Sequence, residues 1–346
     1  MNPIPQQSYK AFQVTRPGVL ELVERNRPEP SEHEVLVDVE ACGLCGADRT
    51  TIEGLDKRIT YPRVPGHEIV GRIRAKGRAV SSGWLLGQRV GIGRLGGHCL
   101  SCMSCRQGHF NLCEDQPTVG SSIDGGYADC VLVRATALVS IPESLASVDA
   151  APILCAGIAS FNGLKRSGAR SGDLVAIHGI GGLGHMAVQY ARSMGFEVAA
   201  IGRGEEFAAD AIRLGAHWTI RSDQVDPAAF LQSRGGARAI VTTVTDSHAV
   251  SALITGLSRR GSLVLLGVGR EPLHISPGWL VSGERRVLGV MTGTPRQSEQ
   301  LLDYSVLTNI RPAIQTWPLD QAPLAYEQLR NGQIRYRAVL TSIRSG

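Results

Sequence analysis

No apolar stretch of about 18 residues runs through this chain without interruption, and a membrane-spanning helix needs one. No basic run is present either. The formal net charge is +5, but the lysines and arginines are scattered, which argues against a nucleic-acid partner. The start, Met1-Asn2-Pro3-Ile4-Pro5-Gln6-Gln7, lacks a charged segment leading into an apolar core. No signal peptide is therefore expected, and the expected compartment is the cytoplasm. Aromatic residues are few, and Trp218, Trp279 and Trp317 are assigned to packing.

What is present describes a globular chain of 346 residues, with room for two domains. Glycine is abundant, at 41 residues, well above the usual ~7%. That excess suits a turn-rich β domain beside a nucleotide-binding fold. The eight cysteines are Cys42, Cys45, Cys99, Cys102, Cys105, Cys113, Cys130 and Cys155. Clustering of this kind in a cytosolic chain points to metal rather than to disulfides.

Cys99-x-x-Cys102-x-x-Cys105, with Cys113 following, is the strongest local signal. Four thiolates at this spacing can wrap one Zn²⁺ tetrahedrally with no open position, so the site would be structural. An iron–sulfur cluster is the alternative at this point. His98 and His109 lie near the lobe, but four thiolates already complete a shell. Upstream, Glu34-Val35-Leu36-Val37-Asp38-Val39-Glu40 alternates as a strand does, and Ala11 to Val14 is a shorter strand candidate. Cys42-Gly-Leu-Cys45 reads as a buried residue with a neighbour, or as a redox pair lacking the βαβ context that such a pair needs. A single His beside a Glu, as in Gly66-His67-Glu68, is ordinarily structural. Cys130 reads as a core thiol, and residues 144–151 as a short helix.

In the second half, the apolar run Leu174-Val175-Ala176-Ile177 leads into His178-Gly179-Ile180-Gly181-Gly182-Leu183-Gly184 and then a helix-like segment. Strand, glycine turn and helix together are the context of a dinucleotide fingerprint. Gly179 would allow the tight turn, Gly181 (with Gly182 and Leu183) the approach of a pyrophosphate, and Gly184 close helix–strand packing. The helix N-terminus would face the phosphates. About 20 residues on, where an NAD-binding chain carries a carboxylate, stands Gly202-Arg203-Gly204. A guanidinium can clamp a 2′-phosphate, so NADP(H) is favoured over NAD(H). Further strands are expected at 196–201, 238–243 and 262–267, with helices at 205–214 and 249–257. Alternation of this kind implies a parallel, doubly wound sheet. His185, His217, His248 and His274 are read as structural.

Taken in order, Gly-Leu-Cys45, Gly-His67-Glu68, the four-cysteine lobe, Gly-Gly-Tyr127-Ala, Cys155-Ala-Gly and the glycine fingerprint resemble the zinc-dependent medium-chain alcohol dehydrogenase superfamily, in particular its cinnamyl-alcohol-dehydrogenase-like branch. The resemblance implies an α/β plus β fold: a GroES-like β-barrel catalytic domain with an inserted Rossmann domain. The expected boundaries are 1–156, 157–290 and a return at 291–346. It also implies two zinc ions per chain. One would be catalytic, on Cys45, His67 and Cys155 with Glu68 as an exchangeable fourth ligand. The other would be structural, on Cys99, Cys102, Cys105 and Cys113. Asp48 matches the carboxylate that orients the ligand histidine. Val268 and the segment 289–291 would lie near the nicotinamide, and Arg337 matches an arginine on the pyrophosphate. A homodimer or homotetramer is expected, with a small-molecule substrate.

Two departures from the family pattern stand at the proton relay. A Ser or Thr commonly follows two residues after the first zinc cysteine, and here it is Ala47. A His commonly lies three positions further, and here it is Thr50. A Thr beside the nicotinamide is replaced by Ala159. The leading expectation is hydride transfer between NADP(H) and an alcohol or aldehyde, with solvent or an unidentified group supplying the proton. The alternative is a reductase acting on an iminium or conjugated C=C bond, which needs no proton delivered to an oxygen. A non-catalytic NADPH-binding protein is the third reading.

Overall fold

The computed structural model describes residues 8–342. The described residues form two compact units, one of residues 8–155 and 293–342, the other of residues 156–292.

The first unit is built on a seven-stranded sheet. Glu34–Leu44 is its central strand, flanked by Ile69–Lys76 on one side and Arg337–Thr341 on the other, both antiparallel to it. Cys130–Arg134 also pairs with it. Outward from these lie Ile314–Pro318 and Arg89–Ile92, and Val139–Ser140 closes the far edge. Ser8–Arg16 and Val19–Asn26 form a separate hairpin. The central strand does not alternate throughout: Val35, Leu36 and Val37 are all buried. A register shift between Leu36 and Val37 accounts for this, since a bulge turns successive side chains toward the same side. The strand also runs on to Leu44, which carries Cys42 into the core and leaves Cys45 just beyond the strand's end.

The second unit is the parallel sheet that the alternation predicts. Its order is Trp218–Arg221, Glu197–Gly202, Leu174–His178, Ala237–Thr242, Leu257–Leu265, Arg286–Gly289. Every adjacent pair is parallel. In chain order this is 3-2-1-4-5-6, the dinucleotide-binding arrangement, in which ligands sit at the carboxyl ends of the strands. The helix expected at 249–257 is shorter and starts earlier, spanning Ser247–Ala252 with a 3₁₀ turn Leu253–Gly256 after it. Asp246 sets the start, because its carboxylate accepts from the backbone N–H of His248 and Ala249.

One helical run comes closer to a membrane span than the sequence reading allowed. Ser147–Arg166 is 20 residues long and apolar enough to cross a bilayer by length and composition. Its most apolar window is 67% buried within the protein, as a core helix is. The run is interrupted at its centre. Pro152 lacks the N–H that an α-helix needs, and a π-helical turn, Ile153–Gly157, follows it.

Candidate metal centres and cofactor cradle

Three pieces of the first unit bring four ligand-type side chains together. Cys45 stands at the end of the central strand and caps a 3₁₀ turn, Gly46–Asp48. His67 and Glu68 immediately precede the neighbouring strand Ile69–Lys76, and register sets Cys42 against Ile69. The Gly43 N–H donates to the Glu68 carbonyl at 2.9 Å, which ties the two segments at this end. Cys155 comes from the π-helical turn, a local widening frequent at functional sites. Two glycines let that turn sit close to the sheet. A Cβ at Gly91 would lie 2.7 Å from Leu154 Cδ1, and one at Gly93 would lie 2.9 Å from the Leu154 carbonyl oxygen. The ligand atoms of Cys45, His67, Glu68 and Cys155 all lie within 4.8 Å of one another.

Behind them lies a buried hydrogen-bond chain. His67 Nδ1 meets Asp48 Oδ1 at 2.9 Å, which directs Nε2 to the cluster, 3.5 Å from Cys155 Sγ. Asp48 Oδ2 accepts from the Cys45 N–H and from the Tyr127 hydroxyl, each at 2.9 Å. Glu68 is fully buried and paired with the Arg337 guanidinium. Its Oε2 has no hydrogen-bond partner. A Cβ at position 43 would collide with that oxygen, so only glycine leaves the carboxylate its place.

The electrostatics fit a cation site. Burial raises the Glu68 carboxyl to about 7, with Arg337 opposing. Burial alone would lower His67, but Asp48 outweighs it and the imidazole is held up at about 10. Between the two thiols, Cys45 ionises first, because it accepts a hydrogen bond from Cys155, with His67 adding to the effect. A set of two thiols, an imidazole and a carboxylate, with one buried carboxylate oxygen unpartnered, suits a zinc ion that keeps an exchangeable position.

The second cluster is the four-cysteine lobe. Cys99, Cys102, Cys105 and Cys113 also bring their sulfurs within 4.8 Å of one another. The N–H groups of Cys99 and Cys102 donate to Cys113 Sγ and Cys99 Sγ, each at 3.3 Å. No disulfide links them. His98 stacks on Phe110, 4.3 Å between ring centroids. The lobe suits a closed zinc site on thiolates alone.

In the second unit the glycine turn follows Leu174–His178 and leads into the helix Gly184–Ser193. Gly179 has φ +87, and a Cβ there would lie 2.7 Å from Val244 Cγ2. A Cβ at Gly184 would collide with the Gly179 carbonyl, while Gly181 has open space around it. Gly182 and Leu183 complete the loop, half-buried. His185 Nδ1 meets the Gly181 carbonyl at 3.2 Å, so this histidine, read as structural, braces the loop. Arg203 is exposed just past the strand Glu197–Gly202. Glu205 pairs with Arg221 at 3.5 Å, and Arg221 lies beside Gly202 at the end of that strand. His178 escaped the sequence reading. It is buried, shares a hydrogen bond with Thr242 Oγ1 at 3.1 Å, and burial together with Arg203 pushes it down to about 4. Val268 is 91% exposed.

Arg337, matched in the sequence to an arginine on the pyrophosphate, stands at the metal cluster in this structure. It is buried, and its guanidinium is given to Glu68. The strand register is the reason: Ala338 pairs with Leu44, which sets Arg337 at the sheet end beside the cluster. A buried carboxylate there needs a cation. Tyr127 and Gly43 are site residues that sequence reasoning misses, and it names Glu68 and Arg337 without their pairing. Only the Gly-Gly-Tyr-Ala motif marked one of them, and it carried no hint of Asp48. Ala47 lies half-buried in the 3₁₀ turn and carries no hydroxyl. The neighbouring Thr51 hydroxyl is committed to the Gly120 carbonyl at 2.6 Å.

Residues 31–143 match the profile of the alcohol dehydrogenase GroES-like domain, and residues 182–306 that of the zinc-binding dehydrogenases. Alcohol dehydrogenase notN of Aspergillus sp. is 39% identical over 313 residues, covering 90% of this chain and 91% of that protein. Among solved structures, the cinnamyl alcohol dehydrogenase of Helicobacter pylori complexed with NADP(H) superposes with a TM-score of 0.87 at 27% identity, covering 98% and 99% of the two chains. Acetophenone reductase of Geotrichum candidum, in complex with NAD, gives a TM-score of 0.87 at 26% identity over 100% of both.

Proposed function

This chain belongs to the zinc-type medium-chain alcohol dehydrogenases and has cinnamyl alcohol dehydrogenases among its structural relatives; from that premise we propose that it transfers a hydride between NADP(H) and an alcohol- or aldehyde-type small molecule. The observation that carries this reading is the convergence of Cys45, His67, Glu68 and Cys155 within 4.8 Å, with Asp48 behind the histidine. A zinc ion held there supplies Lewis acidity toward a carbonyl-type oxygen.

The chain's own residues do the rest. Asp48 holds the proton on His67 Nδ1 and leaves Nε2 free to ligate. Glu68 has one oxygen on Arg337 and one unpartnered, so it can approach or leave the cluster while its charge stays paired. Gly179, Gly181 and Gly184 admit the cofactor pyrophosphate to the helix N-terminus. Arg203 takes the 2′-phosphate, being exposed just past the strand end where an NAD-binding chain carries a carboxylate. Cys99, Cys102, Cys105 and Cys113 hold a second zinc ion that staples the lobe. Ala47 neither donates nor accepts a proton, so water carries it.

That same alanine favours a second reading, a reductase of C=N or conjugated C=C bonds. NADPH labelled with deuterium at the transferred position, incubated with a panel of aldehydes, imines and enones, tests both. Rapid deuteration of simple aldehydes is the expected result. Turnover confined to imines or enones would replace the first reading with the second. No turnover of any substrate, with NADPH still bound, would overturn both in favour of a non-catalytic NADPH-binding protein. NADH bound more tightly than NADPH would remove Arg203 from the 2′-phosphate.

A further inference from the structure

Three neighbouring strands of the parallel sheet each bring an arginine to one cavity. Arg238 stands on Ala237–Thr242, Arg260 on Leu257–Leu265, and Arg286 opens Arg286–Gly289. The cavity measures about 330 Å³ and is lined by these three and Glu284. All three arginines are at or near the beginnings of their strands. The glycine fingerprint follows the end of the parallel strand Leu174–His178. The cavity is therefore at the opposite end of the sheet from the cofactor cradle.

The charges in it are not balanced. Arg260 pairs with Glu284 at 3.3 Å. Arg238 donates to the Arg260 carbonyl at 2.6 Å, and Arg286 donates to the buried Ser262 hydroxyl at 3.1 Å. Among the described residues, neither Arg238 nor Arg286 has a carboxylate partner. Their guanidinium groups nonetheless converge. A Cβ on Gly168, which has φ +79, would lie 2.8 Å from Arg286 Nη2 and 3.9 Å from Arg238 Nη2. Like charges facing one position repel each other, and the absence of a side chain at Gly168 leaves that position open. Guanidinium forks match the oxygens of phosphate in pairs. Three guanidinium groups and one carboxylate leave two positive charges, which suits a dianion.

We infer that this cavity binds a phosphate group, as free phosphate or as the phosphomonoester end of a small molecule. The anion would neutralise Arg238 and Arg286 and join the starts of three strands. The inference is independent of the substrate and of the NADP(H) preference.

Titration calorimetry on the full-length, metal-loaded protein tests it, with the dinucleotide cofactor at saturation so that phosphate cannot enter the fingerprint. The probes are inorganic phosphate and glycerol 1-phosphate, against sodium chloride at matched ionic strength. Saturable binding of at least one of them, one per chain, is expected. Preference for glycerol 1-phosphate assigns the site to phosphomonoesters, and equal or weaker binding of it assigns the site to free phosphate. Arg238→Gln and Arg286→Gln should each weaken binding at least about tenfold, as expected for the loss of a charge-assisted hydrogen bond. Glu284→Gln should tighten it severalfold, and this variant keeps the test alive if an arginine variant does not fold. No saturation beyond the chloride control overturns the inference. So does affinity unchanged in Arg286→Gln together with no tightening in Glu284→Gln.

Discussion

Asp48 is the residue on which the first cluster turns. One carboxylate oxygen fixes the His67 ring, and the other accepts from the Cys45 backbone and the Tyr127 hydroxyl. Tyr127 is fully buried, so its hydroxyl cannot be replaced by bulk water. Partners of metal-ligating groups typically carry 10–100-fold in metal affinity. Tyr127→Phe should therefore speed zinc loss to a chelator by about tenfold while far-ultraviolet circular dichroism stays unchanged; the four-cysteine lobe should release its zinc at the wild-type rate. His178 makes a separate prediction. Its native state binds its proton only near pH 4, whereas an unfolded histidine does so near 6.5. Between these values the unfolded chain holds more protons, so stability falls as the pH drops below about 6.5. The loss reaches about 2 kcal/mol by pH 5 on this linkage. Thermal unfolding from pH 7 to 5 should show that slope in the wild type, and His178→Asn should flatten it.

At the scale of elements, the glycine turn separates two uses of one residue type. A Cβ at Gly184 meets the Gly179 carbonyl, which is backbone and cannot move aside cheaply. One at Gly181 meets no protein atom. Gly184→Ala should therefore lower stability by about 1–3 kcal/mol, the usual cost of overpacking. Gly181→Ala should fold with unchanged stability yet weaken cofactor binding by about tenfold or more, because the methyl group stands where the backbone approaches a pyrophosphate. Denaturant unfolding and fluorescence titration with NADPH distinguish the two. The π-helical turn makes the same point about context. Nothing in Ile153-Leu154-Cys155-Ala156-Gly157 announces a widened helix, but Pro152 and the two glycines beneath it make room for one.

For the whole molecule, the two cysteine groups should behave as separate metal sites with separate consequences. Cys113→Ser should reduce bound zinc from two to one per chain and lower the melting temperature, because the loop from Gly97 to Cys113 loses its staple. Cys45→Ser should also leave one zinc but abolish turnover with a much smaller thermal effect. Inductively coupled plasma analysis with calorimetry on the same preparations checks both. Loss of both ions from either variant would show that the sites are not independent.

The sequence by itself determined whatever is local. The spacing Cys99-x-x-Cys102-x-x-Cys105 closes on itself through N–H to sulfur bonds within a few residues, and strand, glycine turn and helix follow from 179, 181 and 184. The alternation of strands and helices dictated a parallel sheet, because each crossover must return the chain to the same edge direction. Ordered motifs carried the family, and with it a proposed grouping of Cys45 and His67 with Cys155. Only the tertiary structure decided which distant groups touch. Tyr127 reaches Asp48 across 79 positions and Arg337 reaches Glu68 across 269. No pattern in the chain encodes those pairs, because strand register and the demand of a buried charge for a partner set them. The same holds for Arg238, Arg260 and Arg286, which the sequence scatters and the parallel sheet gathers at one end.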